Sequence, residues 1–329
     1  MGGGLLLISL TLLDLIWTTL GTHGGGPITG RLTGVIWVTL VKFHRRHTSH
    51  RALSFAGSFM LAFVYVFWMA LLWTGCFVLF SAKPAAVVDA HTRRVASAEE
   101  RWYFVGYSVF TYGNGDLVPN GPWWRFAAVL VAAIGLGALT LAITFLMQVL
   151  SSVVMKRTLA AYISDIGGTA NEILMRSWTG ERFYGLDGHT ATIGEQLHLV
   201  TEQHLAYPIL QYFHSEKLRT ASTVRVAALY EMAQILEEGV APHLRLPRIT
   251  IYPLLDALTG YQDVLAGAFA KPAATTPPPP SLDFLRDLGV ETVDDATFAG
   301  AVERVAKTRR FFLGLVREDG WEWSDIMRR

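Results

Sequence analysis

Thr111-Tyr112-Gly113-Asn114-Gly115-Asp116 lies between two apolar runs of membrane length and carries two glycines spaced by one residue. A short loop at such a place can replace the water around a cation only if its successive backbone carbonyls turn to the same side. Glycine reaches backbone regions that side chains forbid, so Gly113 and Gly115, alternating with bulkier residues, meet that requirement. The stretch reads as an ion selectivity filter.

The six residues resemble the Thr-Val-Gly-Tyr-Gly-Asp signature of tetrameric potassium channels, in the prokaryotic two-transmembrane pore-domain form with one filter per chain and an extra N-terminal helix. Tyr112 stands in the valine place and Asn114 in the tyrosine place. Ala98 to Phe110 has the length and aromatic content of that family's pore helix. Asp116-Leu117-Val118-Pro119 continues as the family does, and Gly135 falls where its gating-hinge glycine is expected. The resemblance covers roughly Ala52 to Arg157. The order outer helix, pore helix, filter, hinge-bearing helix is far more specific than a lone Gly-x-Gly.

The resemblance implies a homotetramer with its pore on the fourfold axis and K+ as the permeant ion. Thr111 would supply a hydroxyl and a carbonyl at the inner end, Tyr112, Gly113 and Asn114 carbonyls above it, and Gly115 would shape the outer end. In the family the filter tyrosine packs against pore-helix aromatics, which Asn114 cannot do. Tyr112, Tyr103, Phe104 and Tyr107 are expected to form an aromatic cuff instead, with Tyr103 bonding Asp116. Potassium preference is expected from the retained Thr, two Gly and Asp, and a weakly selective monovalent cation channel is the alternative.

With 329 residues and 51% hydrophobic content, and a mean hydropathy of +0.33, the chain is too apolar for an ordinary soluble protein. Its second half is too charged to be wholly embedded, so the expectation is an all-α membrane protein with a soluble appendage. The net charge of +1, with no region that concentrates Lys and Arg on the scale that phosphate binding needs, argues against a nucleic-acid partner. Cys76 is the single cysteine and lies in an apolar run, which leaves no disulfide framework and reads as a small buried hydrophobe.

Residues 1–51 are expected to hold an extra transmembrane helix, Gly2 to Leu20, and a basic interfacial segment. The apolar run has no Arg-rich leader before it and no clear cleavage pattern after it, so it reads as a retained helix. Asp14 within it is either a functional intramembrane carboxylate or a residue that faces protein and finds a hydroxyl partner, the reading preferred here. Leu32 to Phe43 is short for a span and reads as a helix at the inner membrane face, although a fourth span stays open. Lys42, His44, Arg45, Arg46, His47, His50 and Arg51 form the densest basic run. It reads as a cytoplasmic topology signal with attraction to anionic lipid at Lys42, Arg45, Arg46 and Arg51; a pH sensor on His44, His47 and His50 is the rival.

The pore domain is expected over residues 52–157. Ala52 to Ser81 is the outer helix, Lys83 to Arg101 a polar turret-like loop, and Ser97 with Glu100 a capping box that starts the pore helix. The negative end of that helix favours a cation. The inner helix, Trp123 to Val154, ends at Lys156-Arg157 on the positive inside. Gly135 and Gly137 either bend it for gating or permit close packing, and the family favours a bend at Gly135. Leu139, Ile143 and Met147 recur every four residues and are candidates to line the pore.

Residues 158–270 are expected to form a cytosolic helical domain with helices over Thr158–Leu174, Glu195–Phe213 and Ala221–Glu238. A Pro-rich linker follows at 271–280 and a helical segment at 281–329, where Trp321 and Trp323 dock back. No Gly-x-Gly-x-x-Gly follows a strand, which argues against a dinucleotide-binding regulator. His198, His204 and His214 with Glu195 and Glu202 make a poor metal cluster, because positions 198 and 204 lie about 600° apart around a helix. Neither a cofactor nor an enzymatic motif is expected. A non-conducting membrane sensor or scaffold is the rival from another class, and a pore-loop transporter subunit would need several such loops per chain. The bacterial inner membrane, with the C-terminal domain in the cytoplasm, is the expected location.

Overall fold

A computed structural model describes residues 1–21, 25–47, 50–268 and 270–327, and their side chains except at 41, 43–47, 52, 267, 268 and 327. The chain forms two compact units, Met1–Val35 with Ser58–Val149 and Ile36–Gly57 with Leu150–Arg329. Both are helical, and the protein is an all-α membrane protein. Among the described residues three helices are long and apolar enough to cross a membrane, Gly2–Leu20, Ala56–Ser81 and Pro122–Ile166. The side chains of His44, Arg45, Arg46 and His47 lie outside the described residues, while Lys42 and Arg51 are exposed.

The first unit begins with α1 (Gly2–Leu20), followed by α2 (Pro27–His47), of which residues up to 35 belong here. Proline suits the first position of a helix because its missing N–H would have no partner there. Pro27 therefore starts α2 earlier than the expected Leu32, and the helix runs for 21 residues. After α3 (His50–Ser54), α4 (Ala56–Ser81) is apolar on every side, as a membrane span is. α1 and α4 meet at small residues: a Cβ on Gly4 would lie 2.6 Å from the Leu79 nitrogen, and one on Gly75 2.9 Å from the Ile8 side chain. Small residues let membrane helices bring their backbones this close.

Asp14 resolves in favour of structure. Its Oδ1 accepts from the backbone N–H groups of Ile28 (2.9 Å) and Thr29 (3.2 Å), and its Oδ2 from Thr29 Oγ1 (2.5 Å) and Trp68 Nε1 (2.9 Å). It is the N-cap of α2, supplied by another helix.

The connection after α4 is more ordered than a polar turret. β1 (Val87–Asp89) pairs antiparallel with β2 (Leu117–Pro119), with Val88 opposite Val118. Val87 and Val88 are buried, so the apolar pair fixes the ribbon. Between the strands lies α5 (Ala98–Val109), and after them α6 (Pro122–Ile166). α6 is a single helix of 45 residues and does not end near Arg157 as the basic pair suggests. Lys156 is buried, with Nζ donating to the carbonyls of Leu210 (3.2 Å) and Phe213 (3.3 Å), so its charge serves packing rather than a helix end.

The second unit adds α7 (Ala170–Ser177), α8 (Leu186–Ala206), α9 (Ser222–Gln234), α10 (Arg248–Ala268), α11 (Asp283–Asp287), α12 (Asp295–Arg304), α13 (Ala306–Glu318) and α14 (Ser324–Met327). The expected helix over Thr158–Leu174 is interrupted at Gly167-Gly168, where α6 stops and Thr169 caps α7. α8 starts nine residues before the expected Glu195 and stops before Pro208, whose ring disfavours helix in the preceding residue. α9 is buried from Ser222 to Ala233 and forms the centre of the unit, with α7, α10, α13 and α14 packed against it.

One charged side chain of α9, Glu231, is paired inside that core. Glu231 accepts a bidentate bond from Arg309 of α13, at 2.7 and 3.1 Å. The same guanidinium donates to the carbonyls of Pro277 (3.2 Å) and Pro278 (2.6 Å). The Pro-rich stretch is thus a strap bound to the core, and Trp321 and Trp323 are buried in that core as expected.

His204 on α8 is buried and its Nδ1 bonds the Val200 carbonyl at 2.8 Å. Burial, and then the Lys156 charge, pushes it from 6.5 down to about 3. A base depressed in the folded state contributes stability above its unfolded value and loses it as pH falls. Wild type should therefore lose about 1.4 kcal/mol per pH unit from this group below pH ~6.5. Urea unfolding at pH 7.5 and 5.5 checks it, with His204→Phe expected to show a shallower loss.

Candidate functional site

The loop at 111–116 grows out of the end of α5, so the helix comes first. Ser97 Oγ accepts from the Glu100 N–H (3.2 Å) while the Glu100 carboxylate accepts from the Ser97 N–H (2.7 Å), the reciprocal capping box the sequence predicts. At the other end the Thr111 N–H bonds the Ser108 carbonyl (3.3 Å) and the Tyr112 N–H bonds the Tyr107 carbonyl (2.8 Å). This pair of bonds is a Schellman cap, which requires a left-handed residue at its turn. Here that residue is Thr111, with φ 54°. A β-branched residue in this region is strained, at roughly 1–3 kcal/mol.

Gly113 also lies in the left-handed region, with φ 66°, but Gly115 does not. The alternation expected at Gly113 and Gly115 is therefore found at Thr111 and Gly113. A change of backbone hand at every second residue is what keeps neighbouring carbonyls from pointing to opposite sides. Thr111, Tyr112, Gly113, Gly115 and Asp116 are exposed in the single chain and Asn114 is half-buried.

The outer part of the loop is held from behind. Asn114 Nδ2 donates to the Tyr103 hydroxyl at 2.6 Å, and the Asn114 Oδ1 accepts from the Gly115 N–H. The expected Tyr103–Asp116 bond is corrected by this contact: the amide reaches the phenol, whereas the Asp116 carboxylate turns back onto the Leu117 N–H (2.9 Å). Tyr107 donates its hydroxyl to the Leu117 carbonyl at 2.6 Å, and the Ala90 N–H bonds the Asp116 carbonyl at 2.9 Å. The β1–β2 ribbon and Tyr107 thus anchor the strand that leaves the loop.

The aromatic residues divide into two groups. Phe104 is buried against Phe80 and Tyr107, with ring centroids 5.2 and 5.3 Å apart, and Tyr103 meets Tyr107 edge to face. Tyr112 is 75% exposed and lines an open aromatic groove of about 350 Å³ with Trp102, Tyr103, Tyr107 and Phe110. Gly106 of α5 rests on the Trp73 indole, 2.7 Å from where a Cβ would sit.

α6 passes directly behind the loop. A Cβ at Gly135 would collide with the Val109 carbonyl, the last of α5, whereas one at Gly137 would meet nothing within 4 Å. Gly135 therefore permits close approach to the pore helix end. Further along, Val131, Gly135, Ala138, Ala142, Phe145 and Val149 form the buried stripe of the helix. Leu139, Ile143 and Met147 drift by about 80° around the helix from first to last. A step of four residues turns a helix by about 40° beyond a full turn, and their exposure rises from half-buried Leu139 to 50% at Ile143 and 61% at Met147. Leu139 lines an apolar cavity of about 270 Å³ with Tyr65, Trp68 and Phe145. The face opposite the buried stripe carries Thr140 and Thr144, whose hydroxyls bond the carbonyls one turn back. Sequence reasoning missed them, although threonines four apart in an apolar helix are a visible signal.

A profile described as "Ion channel" matches residues 32–152. The chain is also 32% identical over 321 residues to the "Uncharacterized membrane protein YdjJ" of Bacillus subtilis (strain 168), an alignment that covers 97% of this chain and 94% of that protein. No solved structure matches the chain.

Proposed function

The chain belongs to the ion channel family, and from that premise we propose that it is a passive potassium-preferring channel whose filter is completed by four copies. The observation that carries this reading is the left-handed backbone at Thr111 and Gly113, placed on the C-terminal cap of α5. The carbonyls of Thr111, Tyr112, Gly113 and Asn114 would hold the dehydrated ion, with Gly115 ending the row. The negative end of the α5 macrodipole favours a cation there. Asp116, Tyr103, Phe104 and Tyr107 act as supports from behind.

Gating by a bend of α6 is part of the proposal. Gly135 keeps the helix against the Val109 carbonyl, and Gly137, where a Cβ would meet no atom within 4 Å, is the proposed place of the bend. Ile143 and Met147, with Thr140 and Thr144, would line the path below the filter. The basic run at 42–51 supports placing the second unit in the cytoplasm, with anionic lipid at Lys42, Arg45, Arg46 and Arg51. The proposed location is the bacterial inner membrane.

Purified protein in liposomes with a potassium against sodium gradient tests the selectivity: a reversal potential near the potassium value supports it, and one near zero overturns it in favour of a weakly selective cation channel. Tyr103→Phe removes only the oxygen that receives Asn114. Flux should persist while the permeability ratio falls by about fivefold, the equivalent of one ordinary hydrogen bond. The same reversal-potential assay reads this out.

A further inference from the structure

His50, His214 and Asp319 form a hydrogen-bonded chain in the second unit, between residues that lie far apart in sequence. His50 Nδ1 and His214 Nε2 are 3.0 Å apart, and His214 Nδ1 is 3.2 Å from Asp319 Oδ1. Asp319 Oδ2 accepts from Thr223 Oγ1 of α9 at 2.6 Å. His214 and Asp319 are buried and His50 is half-buried. The Trp321 ring stacks on both imidazoles, at centroid distances of 4.2 and 5.5 Å.

We propose that this contact is a proton-operated latch between the segment leading into the outer helix and the C-terminal helices. Asp319 as a carboxylate needs a hydrogen on His214 Nδ1. Only one hydrogen then fits between the facing nitrogens of His214 and His50, since two would place N–H against N–H. The pair therefore holds at most one positive charge while it is closed, and a second proton breaks it. The latch is therefore held while the pair carries at most one proton beyond its neutral form, and acid releases it by adding a second.

Among the described residues, charged or titratable groups around the pair come from three further elements, α6, α8 and α10. Lys156 and Arg157 of α6 face it; Arg157 donates to the His214 carbonyl (3.3 Å), and Lys156 holds the Leu210 and Phe213 carbonyls just before it. Lys156 also interacts electrostatically with Asp319, as do Tyr261 of α10 and His204 of α8. Gly57, at the start of the outer helix, lies against the Phe213 ring, 2.6 Å from where a Cβ would sit. The latch thus ties the beginning of α4 and the end of α6 to one loop. Release would change both, and its effect on conduction rests on the channel reading above.

The test compares wild type, His214→Gln and His50→Gln in the full-length protein, by thermal melting in detergent and by cation flux in liposomes, at pH 8 and pH 5. Wild type should lose several degrees more on acidification than either variant, and its flux should differ about fivefold between the two pH values, the ratio set by one hydrogen bond. Both variants should lose that flux dependence. His50→Gln sits at the half-buried end and covers the case in which His214→Gln does not fold. Equal pH dependence of melting in wild type and His50→Gln overturns the latch. Absent flux at both pH values, with the melting difference present, supports the latch and overturns the channel reading instead.

Discussion

Gly113→Ala is expected to abolish cation flux while the protein still folds. Gly113 has φ 66°, and a Cβ there would meet no atom of the chain within 4 Å. Nothing in the fold therefore rejects alanine by collision. The cost is local: a side chain in the left-handed region costs roughly 1–2 kcal/mol, and the peptide relieves it by rotating, which takes the adjacent carbonyl off the ion path. In the proposed ring of four chains the strain would recur in every copy, so the cost of holding a working filter would multiply to about 4–8 kcal/mol, enough to suppress it more than a hundredfold. Ion flux into liposomes loaded with equal amounts of folded protein measures this. Flux within about twofold of wild type would remove Gly113 from the path and favour a scaffold that does not conduct.

Asp14→Ala is expected to be the most destabilising single truncation in the first unit. Four donors converge on that carboxylate, two of them backbone N–H groups in the first turn of α2 and one the buried Trp68 indole. Alanine leaves all of them without an acceptor at a place where water does not replace it. At about 1–3 kcal/mol for each buried unsatisfied group, and with partial relaxation, the loss is about 4–6 kcal/mol. Melting in detergent should fall on the order of 10 °C. Asp14→Asn keeps the shape and one acceptor oxygen but turns an amide donor toward other donors, so its melting point should lie between the two. A wild-type melting point in Asp14→Ala would mean that the cap contributes nothing.

What could be read from sequence follows the range over which the causes act. The Ser97 and Glu100 cap and the apolar spans are local patterns, and each is found where its residues predict. The β1–β2 ribbon has three residues per strand, too few for a periodic signal, and its halves are about thirty positions apart. Asp14 was visible as an anomaly, but its partners at 28, 29 and 68 were not, because nothing local brings them to it. The same holds for His50, His214 and Asp319, which pair across 164 and 105 residues. Lys156 was misread for a different reason: a basic residue after an apolar run is usually a topology marker, and only the fold reveals the carbonyls around it.

The strap that Arg309 binds has a consequence for how the protein is made. Glu231 leaves the ribosome well before Arg309, its partner 78 residues later. The residues that close the same core, Phe311, Phe312, Leu315, Val316, Trp321, Trp323 and Ile326, come later still. Chains fold as units from the N-terminal end during synthesis, yet the second unit cannot bury Glu231 as an ion pair until α13 has emerged. Its folding is therefore deferred until α13 has been made, which is after the apolar helices of the first unit. A chain stopped before α13 would carry complete apolar helices joined to a second unit with an open core, a substrate for quality control rather than a shortened channel.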